Sequence, residues 1–167
     1  MKEETIRKYI RKVLSENSNS NGFRVFTADE FIKYLNRDGE YDKRFLYKRD
    51  GGHKVFKYFM YDDYRIDRRN VFFFGLVVDG IIVALAHIRK SNKSDDTYWL
   101  SYLCVDPEFE GLGYASKLAD NMFQWFKEKN LTFETSSYTE QGMVKLKPLF
   151  NKLAIKYDVH FKDKGKL

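Results

Sequence analysis

Residues 105–118 read VDPEFEGLGYASKL and carry the strongest structural signal in the sequence. An apolar run ends at Val105, Pro107 follows, and glycines at 111 and 113 precede a helical pattern of apolar residues. Glycine lets the backbone N–H groups of such a turn point toward one centre, and a helix start adds partial positive charge. The stretch predicts a site for a phosphate or diphosphate, with an ordinary strand-to-helix turn as the alternative. The flanking elements decide between the two.

Three apolar strands are predicted immediately before this stretch. Residues 71–78 (VFFFGLVV) and 81–89 (IIVALAHIR) flank Asp79-Gly80, which is typical of a two-residue hairpin turn. A polar tip, SNKSDD, leads into a third strand, TYWLSYLCV, at residues 97–105. We expect the three strands to be antiparallel neighbours.

A helix, a strand and a second helix are predicted after it. The first helix ends near Asn130, and the strand LTFETS follows at residues 131–136. Pro148 is expected either to kink the last helical segment or to begin its second half, because proline suits a first turn but not a helix interior. Residues 159–161 are predicted to form a short final strand. The apolar stripes of the two helices are Leu118, Met122, Phe123, Trp125 and Phe126, and Leu149, Phe150, Leu153 and Ala154.

The N-terminal part of the chain gives weaker signals. Residues 5–16 have apolar positions at helical spacing, and residues 23–26 predict a short strand. Residues 27–30 (TADE) form a capping-box pattern that opens a second helix, which ends within 36–39. Residues 40–70 alternate aromatic and charged side chains with nearly balanced charge, which favours a lid or an acceptor wall over a nucleic-acid platform. The order of elements predicts a mixed α/β domain.

Composition narrows the class of protein. The 167 residues, 43% of them hydrophobic, suit one compact domain. The formal charge of +6 favours anionic ligands, although its two concentrations, in the first helix and the last segment, are best explained as solvated faces. One cysteine, Cys104, excludes an intramolecular disulfide and a cysteine-rich zinc site, and no metal site is expected. With no signal peptide and no bilayer-spanning stretch, we expect a cytoplasmic protein.

In this context residues 105–118 resemble the coenzyme A signature of the GNAT N-acetyltransferase superfamily. That signature is an aliphatic strand end, often a proline two positions later, then Arg or Gln-x-x-Gly-x-Gly or Ala at a helix start. The chain has Val105, Pro107 and the run EGLGYA at 110–115. The likeness covers about residues 70–161, because the order of strands and helices on both sides also agrees. A dinucleotide-binding fold is disfavoured because no βαβ unit precedes the glycines, and a P-loop is excluded by the missing Gly-Lys-Ser/Thr.

The resemblance implies a GNAT fold, in which a central, mostly antiparallel twisted sheet has helices on both faces and strands that splay at the coenzyme A site. One domain would span residues 1–167, with a helical and aromatic-rich variable part at 1–70 and a coenzyme A-binding core at 71–161. The implied activity is direct transfer of the acetyl group of acetyl-CoA to an amine, on a small molecule or a protein. Neither a membrane nor a nucleic acid is expected as a partner, and homodimers are common in the superfamily.

The resemblance also implies which residues hold coenzyme A. Loop amides would bind the diphosphate, the strand end would pair with the pantetheine arm, and one of its amides would hold the oxyanion of the thioester carbonyl. Lys117 and lysines of the last helix would meet the remaining phosphate. The predicted coenzyme A-binding residues are Leu103, Cys104 and Val105 of the strand, and Glu110, Gly111, Leu112, Gly113, Tyr114, Ala115 and Ser116 of the loop.

Two departures from the family pattern bear on the mechanism. Glu110 stands where the family has Arg or Gln, which places a carboxylate beside the expected diphosphate. Phe150 stands where the family often has a tyrosine that protonates the departing thiolate. Tyr138, just after the LTFETS strand, is our candidate for a replacement catalytic acid.

The base that takes the proton of the amine is left open. His87 is one candidate, although a lone histidine in an apolar strand is usually structural. Asp95 and Asp96, just before the third strand, and a water chain are the others. Cys104 is expected to pack as a small apolar residue and not to act as a nucleophile.

Two other functions are also open at this point. Phe150 and Glu110 motivate an acyl-CoA-binding module with weak or no catalysis and a regulatory or interaction role. The aromatic residues of 40–70, with the basic helices, motivate an RNA-binding protein, which the local charge balance disfavours.

Overall fold

The computed structural model describes residues 22–36, 70–79 and 81–166. The predicted helix at 5–16 and residues 40–69 of the aromatic segment lie outside these ranges. The strands predicted at 71–78, 81–89, 97–105 and 131–136 are confirmed to within one residue at each end. In chain order the elements are β1 (Gly22–Thr27), α1 (Ala28–Asn36), β2 (Val71–Val78), β3 (Ile81–Lys90), β4 (Thr97–Val105), a 3₁₀ turn (Pro107–Phe109), α2 (Tyr114–Glu128), β5 (Thr132–Ser137), α3 (Glu140–Tyr157) and β6 (Phe161–Lys166).

The six strands form one sheet in the order β1-β2-β3-β4-β5-β6. The first four pair antiparallel, and short hairpins join β2 to β3 and β3 to β4. The last two pair parallel, each with the strand before it, because α2 and α3 carry the chain back along the sheet between them. The order of elements therefore explains why a mostly antiparallel sheet ends in parallel strands.

Helices cover both faces of this sheet. On one face α2 and α3 pack over a core that includes Phe123, Phe133 and Phe150. On the other face α1 packs Phe31 against Phe73, with ring centroids 4.1 Å apart. None of the helices in the described ranges is long and apolar enough to cross a membrane. The expected mixed α/β fold, with helices on both faces of the sheet, is confirmed.

Helix α1 begins at the predicted capping box. Thr27 N–H donates to Glu30 Oε2 (2.8 Å), and Glu30 N–H donates to Thr27 Oγ1 (3.3 Å). Each side chain thus satisfies one backbone donor of the helix start. The start directs Phe31 into the sheet, where it is 1% exposed.

Of the two alternatives predicted for Pro148, the start of a second helix half is wrong, and the kink stays a prediction. Helix α3 runs continuously from Glu140 to Tyr157 with Pro148 in its interior. Proline removes the hydrogen bond that its missing N–H would donate to the carbonyl of Val144. Both residues lie on the exposed side of α3, where that carbonyl can be solvated.

The predicted final strand exists, but its bounds of 159–161 were wrong, since β6 spans Phe161–Lys166. Val159 belongs to the turn that ends α3, where its N–H donates to the carbonyl of Ala154 (3.0 Å). Asp158, with φ of 52°, has the left-handed conformation that this type of helix end requires. The apolar character of Val159 reflects burial under the helix end and not strand pairing.

His87 lies in the core on the α1 side of the sheet. It is 4% exposed, and its ring centroid is 5.0 Å from that of Phe73. Burial, with a smaller effect of the positive charge of Arg89, lowers the pKa of His87 to about 3. The folded protein therefore keeps a neutral imidazole at neutral pH, whereas the unfolded chain binds a proton below about pH 6.5.

Replacing Phe150 by alanine should lower the free energy of unfolding by about 3–5 kcal/mol, because it leaves a cavity among packed rings. Phe150 is 0% exposed, and its ring centroid lies 5.7 Å from that of Phe123 and 5.4 Å from that of Phe133. Urea unfolding measures the change. The control is Ile155→Ala on the same helix, which is 83% exposed and should cost less than about 0.5 kcal/mol. Equal costs for the two variants would contradict the packing described here.

The free energy of unfolding should fall as the pH drops from about 6.5, because only the unfolded state protonates residue 87 there. A pKa near 3 in the folded state predicts a loss of about 2 kcal/mol between pH 6.5 and pH 5. The carboxylates with lowered pKa, such as Asp158 and Asp163, lose their contribution only below about pH 4. His87→Leu should remove the loss, whereas substitution of the exposed His160 should not. An unchanged pH dependence in His87→Leu would contradict the assignment.

Candidate functional site

An opening separates β4 from β5 at their carboxyl ends. The two strands pair only through Thr97–Leu100 and Thr132–Thr135, whereas β4 stays paired with β3 as far as Val105. Beyond Thr135, β5 continues along β6 alone. Residues 101–105 of β4 are therefore not paired with β5, and we call the gap between the two strands the β4–β5 opening. The predicted residues Leu103, Cys104 and Val105 lie along it.

A β-bulge at Ser101 marks the place where the opening begins. Tyr102 lies opposite His87 and Leu100 lies opposite Ile88, so Ser101 is an extra residue on β4. The Ser101 hydroxyl is buried, and it has no hydrogen-bond partner within the described ranges. Leu100 and Leu103 consequently pack on the same face of the sheet, although strict alternation would put them on opposite faces. The sequence TYWLSYLCV does not reveal this bulge, because it contains no glycine or proline to mark it.

The chain leaves β4 through a turn anchored by Asp106. The Asp106 N–H donates to the carbonyl of Val83 (2.9 Å), and its Oδ1 accepts from the N–H of Glu108 (2.9 Å). Pro107 occupies the first position of the 3₁₀ turn, which needs no donor there. These hydrogen bonds fix the path of the backbone from the end of β4 to the start of α2.

The glycine loop, residues 110–116, combines left-handed backbone with free space. Gly111 and Gly113 have φ of 77° and 79°, a region that favours glycine. A Cβ at either position would meet no atom within 4 Å. The glycines are therefore required by backbone conformation and not by crowding, and the space above them is open for a ligand.

The loop ends in a helix start with unused donors. The first hydrogen bond inside α2 is donated by Lys117 N–H to the carbonyl of Gly113 (3.0 Å), and Gly113 provides no side-chain cap. The N–H groups of Ala115 and Ser116 thus have no acceptor within the helix. Together with the partial positive charge of a 15-residue helix, these donors suit a phosphate or diphosphate. Glu110 is exposed at the rim of the loop.

Tyr138 lies just past β5, beyond the last residue of β5 that pairs with β4. Its hydroxyl and the Thr135 hydroxyl are 3.0 Å apart, and its ring centroid is 6.4 Å from that of Phe150. A Cβ at position 165 of β6 would overlap the Tyr138 ring, so Gly165 makes room for it. Burial raises the pKa of Tyr138, which keeps the phenol protonated at neutral pH.

A chain of polar contacts extends from Tyr138 into α3. Thr135 Oγ1 donates to Asp163 Oδ1 (3.3 Å), which leaves it to accept from the Tyr138 hydroxyl. Asp163 Oδ2 forms an ion pair with Lys147 Nζ (2.9 Å). Although burial opposes ionisation, the hydrogen bonds from Lys147 and Gly165 lower the pKa of Asp163. Sequence reasoning missed this chain, because 28 residues separate Thr135 from Asp163.

The predicted base candidates do not meet at the opening. Asp95 forms an ion pair with Lys90 (2.8 Å), and Asp96 accepts hydrogen bonds from the Ser94 and Thr97 hydroxyls. Both are exposed in the β3–β4 hairpin, about 20 Å along β4 from Leu103 by strand geometry. His87 is buried with a strongly lowered pKa, as described above, which makes it a weak base.

A carboxylate that sequence reasoning passed over lies nearer the opening. Glu134 of β5 is opposite Trp99 of β4, one pair before the strands separate. Its side chain is 16% exposed and forms an ion pair with Lys164 (2.8 Å). Alternation of side chains along LTFETS places Glu134 on the face opposite Phe133 and so away from α2 and α3. Only the pairing of β4 with β5 reveals its position.

Cys104 takes the packing role that was predicted for it. It is 6% exposed in the core on the α1 side, next to Tyr102. Its neighbours are apolar, and burial of this kind disfavours the thiolate that a nucleophile needs.

Two solved structures share the fold. A protein assigned to the GNAT acetyltransferases from Desulfovibrio desulfuricans aligns with a TM-score of 0.54 at 11% identity, covering 80% of this chain and 83% of its own. Tetrahymena GCN5 aligns with a TM-score of 0.53 at 12% identity, covering 77% of each chain. At this identity the likeness shows the fold alone. No curated protein sequence matches the chain significantly.

A match at the level of sequence decides the family. The family model described as "Acetyltransferase (GNAT) family" matches residues 30–147, more than two thirds of the chain. The matched range includes β2 through β5 and the glycine loop between β4 and α2. The resemblance stated from residues 105–118 is confirmed, and this chain belongs to the GNAT acetyltransferase family.

Proposed function

We propose that the protein transfers the acetyl group of acetyl-CoA directly to an amine. The observation that supports this most is the junction of the β4–β5 opening with the glycine loop. In the proposed complex the N–H groups of residues 110–116 bind the diphosphate, and β4 at residues 103–105, beyond its pairing with β5, pairs with the pantetheine arm. Lys117, exposed in the first turn of α2, adds positive charge beside the loop.

The proposed reaction is a direct transfer within a ternary complex. The amine nitrogen attacks the thioester carbon, a C–N bond forms, the C–S bond breaks, and coenzyme A leaves as the thiolate. A backbone N–H of residues 103–105 donates to the carbonyl oxygen, where negative charge develops. The burial of Cys104 argues against an acetyl-cysteine intermediate. Positioning and oxyanion stabilisation supply most of the acceleration.

Two protons have to move in this reaction. An alkyl amine with a pKa near 10.4 is protonated at pH 7, and exposing its lone pair costs about 4–5 kcal/mol. We assign the base to Glu134, acting through water from the face opposite α2 and α3. We assign protonation of the thiolate to Tyr138, because a phenol is protonated at neutral pH and Phe150 has no proton to give.

The carboxylate of Glu110 is compatible with this proposal. Glu110 is exposed at the rim of the loop, so its side chain can point into solvent while its backbone binds. Backbone donors therefore carry the binding of the diphosphate, and the missing Arg or Gln of the family removes only an auxiliary contact.

The complete burial of Phe150 supports one alternative, an acyl-CoA-binding protein with little catalysis. The ring is 0% exposed between α2 and the sheet, which is a packing role. Strong binding of coenzyme A without turnover on a broad panel of amines would favour this alternative over the transferase.

Acetyl-CoA should raise the melting temperature of the protein, because it binds only the folded state; at 100 times Kd the stabilisation is about 2.7 kcal/mol. Gly113→Ala should bind more weakly, since the added methyl enters the ligand space, and it should also be less stable without ligand, since a left-handed backbone costs a non-glycine residue about 1–2 kcal/mol. Gly22→Ala is the matched control, because a Cβ there also meets open space, with no positive φ. Equal shifts in both variants, or none in the parent protein, would refute the proposed site.

Tyr138→Phe and Glu134→Gln should each lower kcat by about 100-fold, the usual contribution of a positioned acid or base, with little change in the KM of acetyl-CoA. Steady-state assays of coenzyme A release measure both constants. Tyr157→Phe is the matched control, because it removes a hydroxyl that bonds to Asp120 (3.0 Å) at the far end of α3. Unchanged turnover in Tyr138→Phe or Glu134→Gln would remove that residue from the mechanism.

A further inference from the structure

A cavity distinct from the β4–β5 opening lies on the sheet face opposite α2 and α3. It has a volume of about 660 Å³ and is bounded by the beginnings of β2, β4 and β5, the end of β3 and the β3–β4 hairpin. The residues that matter here are Arg89, Lys93, Trp99, Glu134, Lys162 and Lys164, and we call this cavity the basic groove. The glycine loop follows the other end of β4, so the groove is separate from the proposed coenzyme A site.

The sheet register sets the central side chains of the groove in a row. Arg89 lies opposite Trp99, Trp99 opposite Glu134, and Glu134 opposite Lys162. At a strand separation of about 4.8 Å, the row extends about 14 Å across four strands. Its two end residues, Arg89 and Lys162, lie 73 positions apart in the sequence (162 − 89), which explains why the sequence did not reveal the row.

Positive charge in the groove is only partly neutralised. Lys164 forms an ion pair with Glu134 (2.8 Å) and Lys90 with Asp95 (2.8 Å). Arg89, Lys93 and Lys162 form no ion pair within the ranges that the structure describes. The basic groove therefore has three cationic side chains that can bind an anionic ligand.

Arg89 is the most informative of these three cations. Its guanidinium carbon lies 3.9 Å from the centroid of the Trp99 ring, in a cation–π contact. Arg89 is partly buried, and burial lowers its pKa, which shows that its charge is incompletely solvated. Stacking occupies the face of the guanidinium and leaves its in-plane N–H groups for a planar anion such as a carboxylate.

The groove also has a direct route to the β4–β5 opening. Trp99 precedes the bulge at Ser101 by two residues and Leu103 by four, which is about 13 Å of extended strand. A ligand of small-metabolite size can therefore place one end at Arg89 and the other at the opening.

We propose that the basic groove binds an anionic group of the acceptor, so that the substrate is a small amine carrying a carboxylate or phosphate roughly 10 Å from its reacting nitrogen. This inference rests on the proposed transferase function for the identity of the ligand, but the groove itself can be tested without it. Arg89 holds the anion at the β3 end of the row, Trp99 positions Arg89, and Lys162 adds positive charge at the β6 end. The amine extends past Glu134, the proposed base, toward the thioester.

The first experiment measures binding without acetyl-CoA. In a Trp125→Phe background Trp99 is the sole tryptophan, and its fluorescence is titrated with ω-amino acids of increasing chain length, with their primary amides and with inorganic phosphate. We expect saturable changes with the ω-amino acids and at least tenfold weaker binding of the amides. Arg89→Met keeps the chain length without the charge and should weaken binding of the acids at least tenfold, as should Lys162→Met. Lys152→Gln, on the exposed side of α3, is the control and should bind as the parent does.

Thermal shift with the same ligands on the unmodified protein is a second readout, which guards against a folding defect in the variants. Acids and amides that bind alike, or acids that shift neither fluorescence nor melting temperature, would overturn the proposal. Binding of phosphate alone, with no preference for acids over amides, would also overturn it, because the groove would then be a general anion site.

The second experiment separates this inference from the proposed function. If acetyl-CoA binds and amines turn over, Arg89→Met should raise the KM of acidic acceptors at least tenfold while the KM of neutral acceptors and of acetyl-CoA stays within twofold. If acetyl-CoA does not bind, the transferase proposal fails, while the fluorescence result still decides whether the groove holds an anion. Equal KM values for acidic and neutral acceptors in the parent protein would overturn the inference and leave the transferase proposal standing.

Discussion

The separation of β4 from β5 after four paired residues is the constraint on which the candidate site depends. One edge of β4 stays in the ladder with β3 up to Val105, while β5 turns its pairing to β6. The bulge at Ser101 lets β4 bend at this point without leaving the sheet. Because both walls are held by other strands, the gap is a fixed feature of the backbone. Residues 101–105 of β4 do not pair with β5, so an extended ligand has room to lie along β4 as a further strand would.

Aromatic packing holds the helix that carries the glycine loop. Rings from α2, β5, α3 and β6 meet around Phe123 and Phe133 in edge-to-face, tilted and stacked pairs. Such a core resists movement of α2 against the sheet, because displacing one ring disturbs several contacts. Phe150 belongs to this cluster, so at this position packing has taken precedence over a hydroxyl. The start of α2, with its left-handed glycines, is therefore presented by a rigid element and not by a mobile one.

Sequence reasoning succeeded wherever the signal was local. The ends of β2 and β3 on either side of Asp79, the capping box at Thr27 and the glycines before α2 each depend on a few adjacent residues, and each was placed correctly. It failed where the outcome depends on distant partners. The bulge at Ser101 is visible only in the register with β3, and the Trp99–Glu134 neighbourhood only in the register with β5. Val159 was assigned to a strand because it is apolar. In the structure it belongs to the turn that ends α3, and the helix end buries its side chain.

Gly165, near the end of β6, determines where the ring of Tyr138 can lie. The phenol ring of Tyr138 fills the volume that any side chain at 165 would need, so the missing side chain on β6 sets the rotamer of a residue after β5. A methyl group there would push the ring away from the Thr135 hydroxyl and redirect the proposed proton donor. Position 165 of β6 therefore tolerates only glycine if Tyr138 is to keep its orientation, even though β6 contributes no residue to the glycine loop.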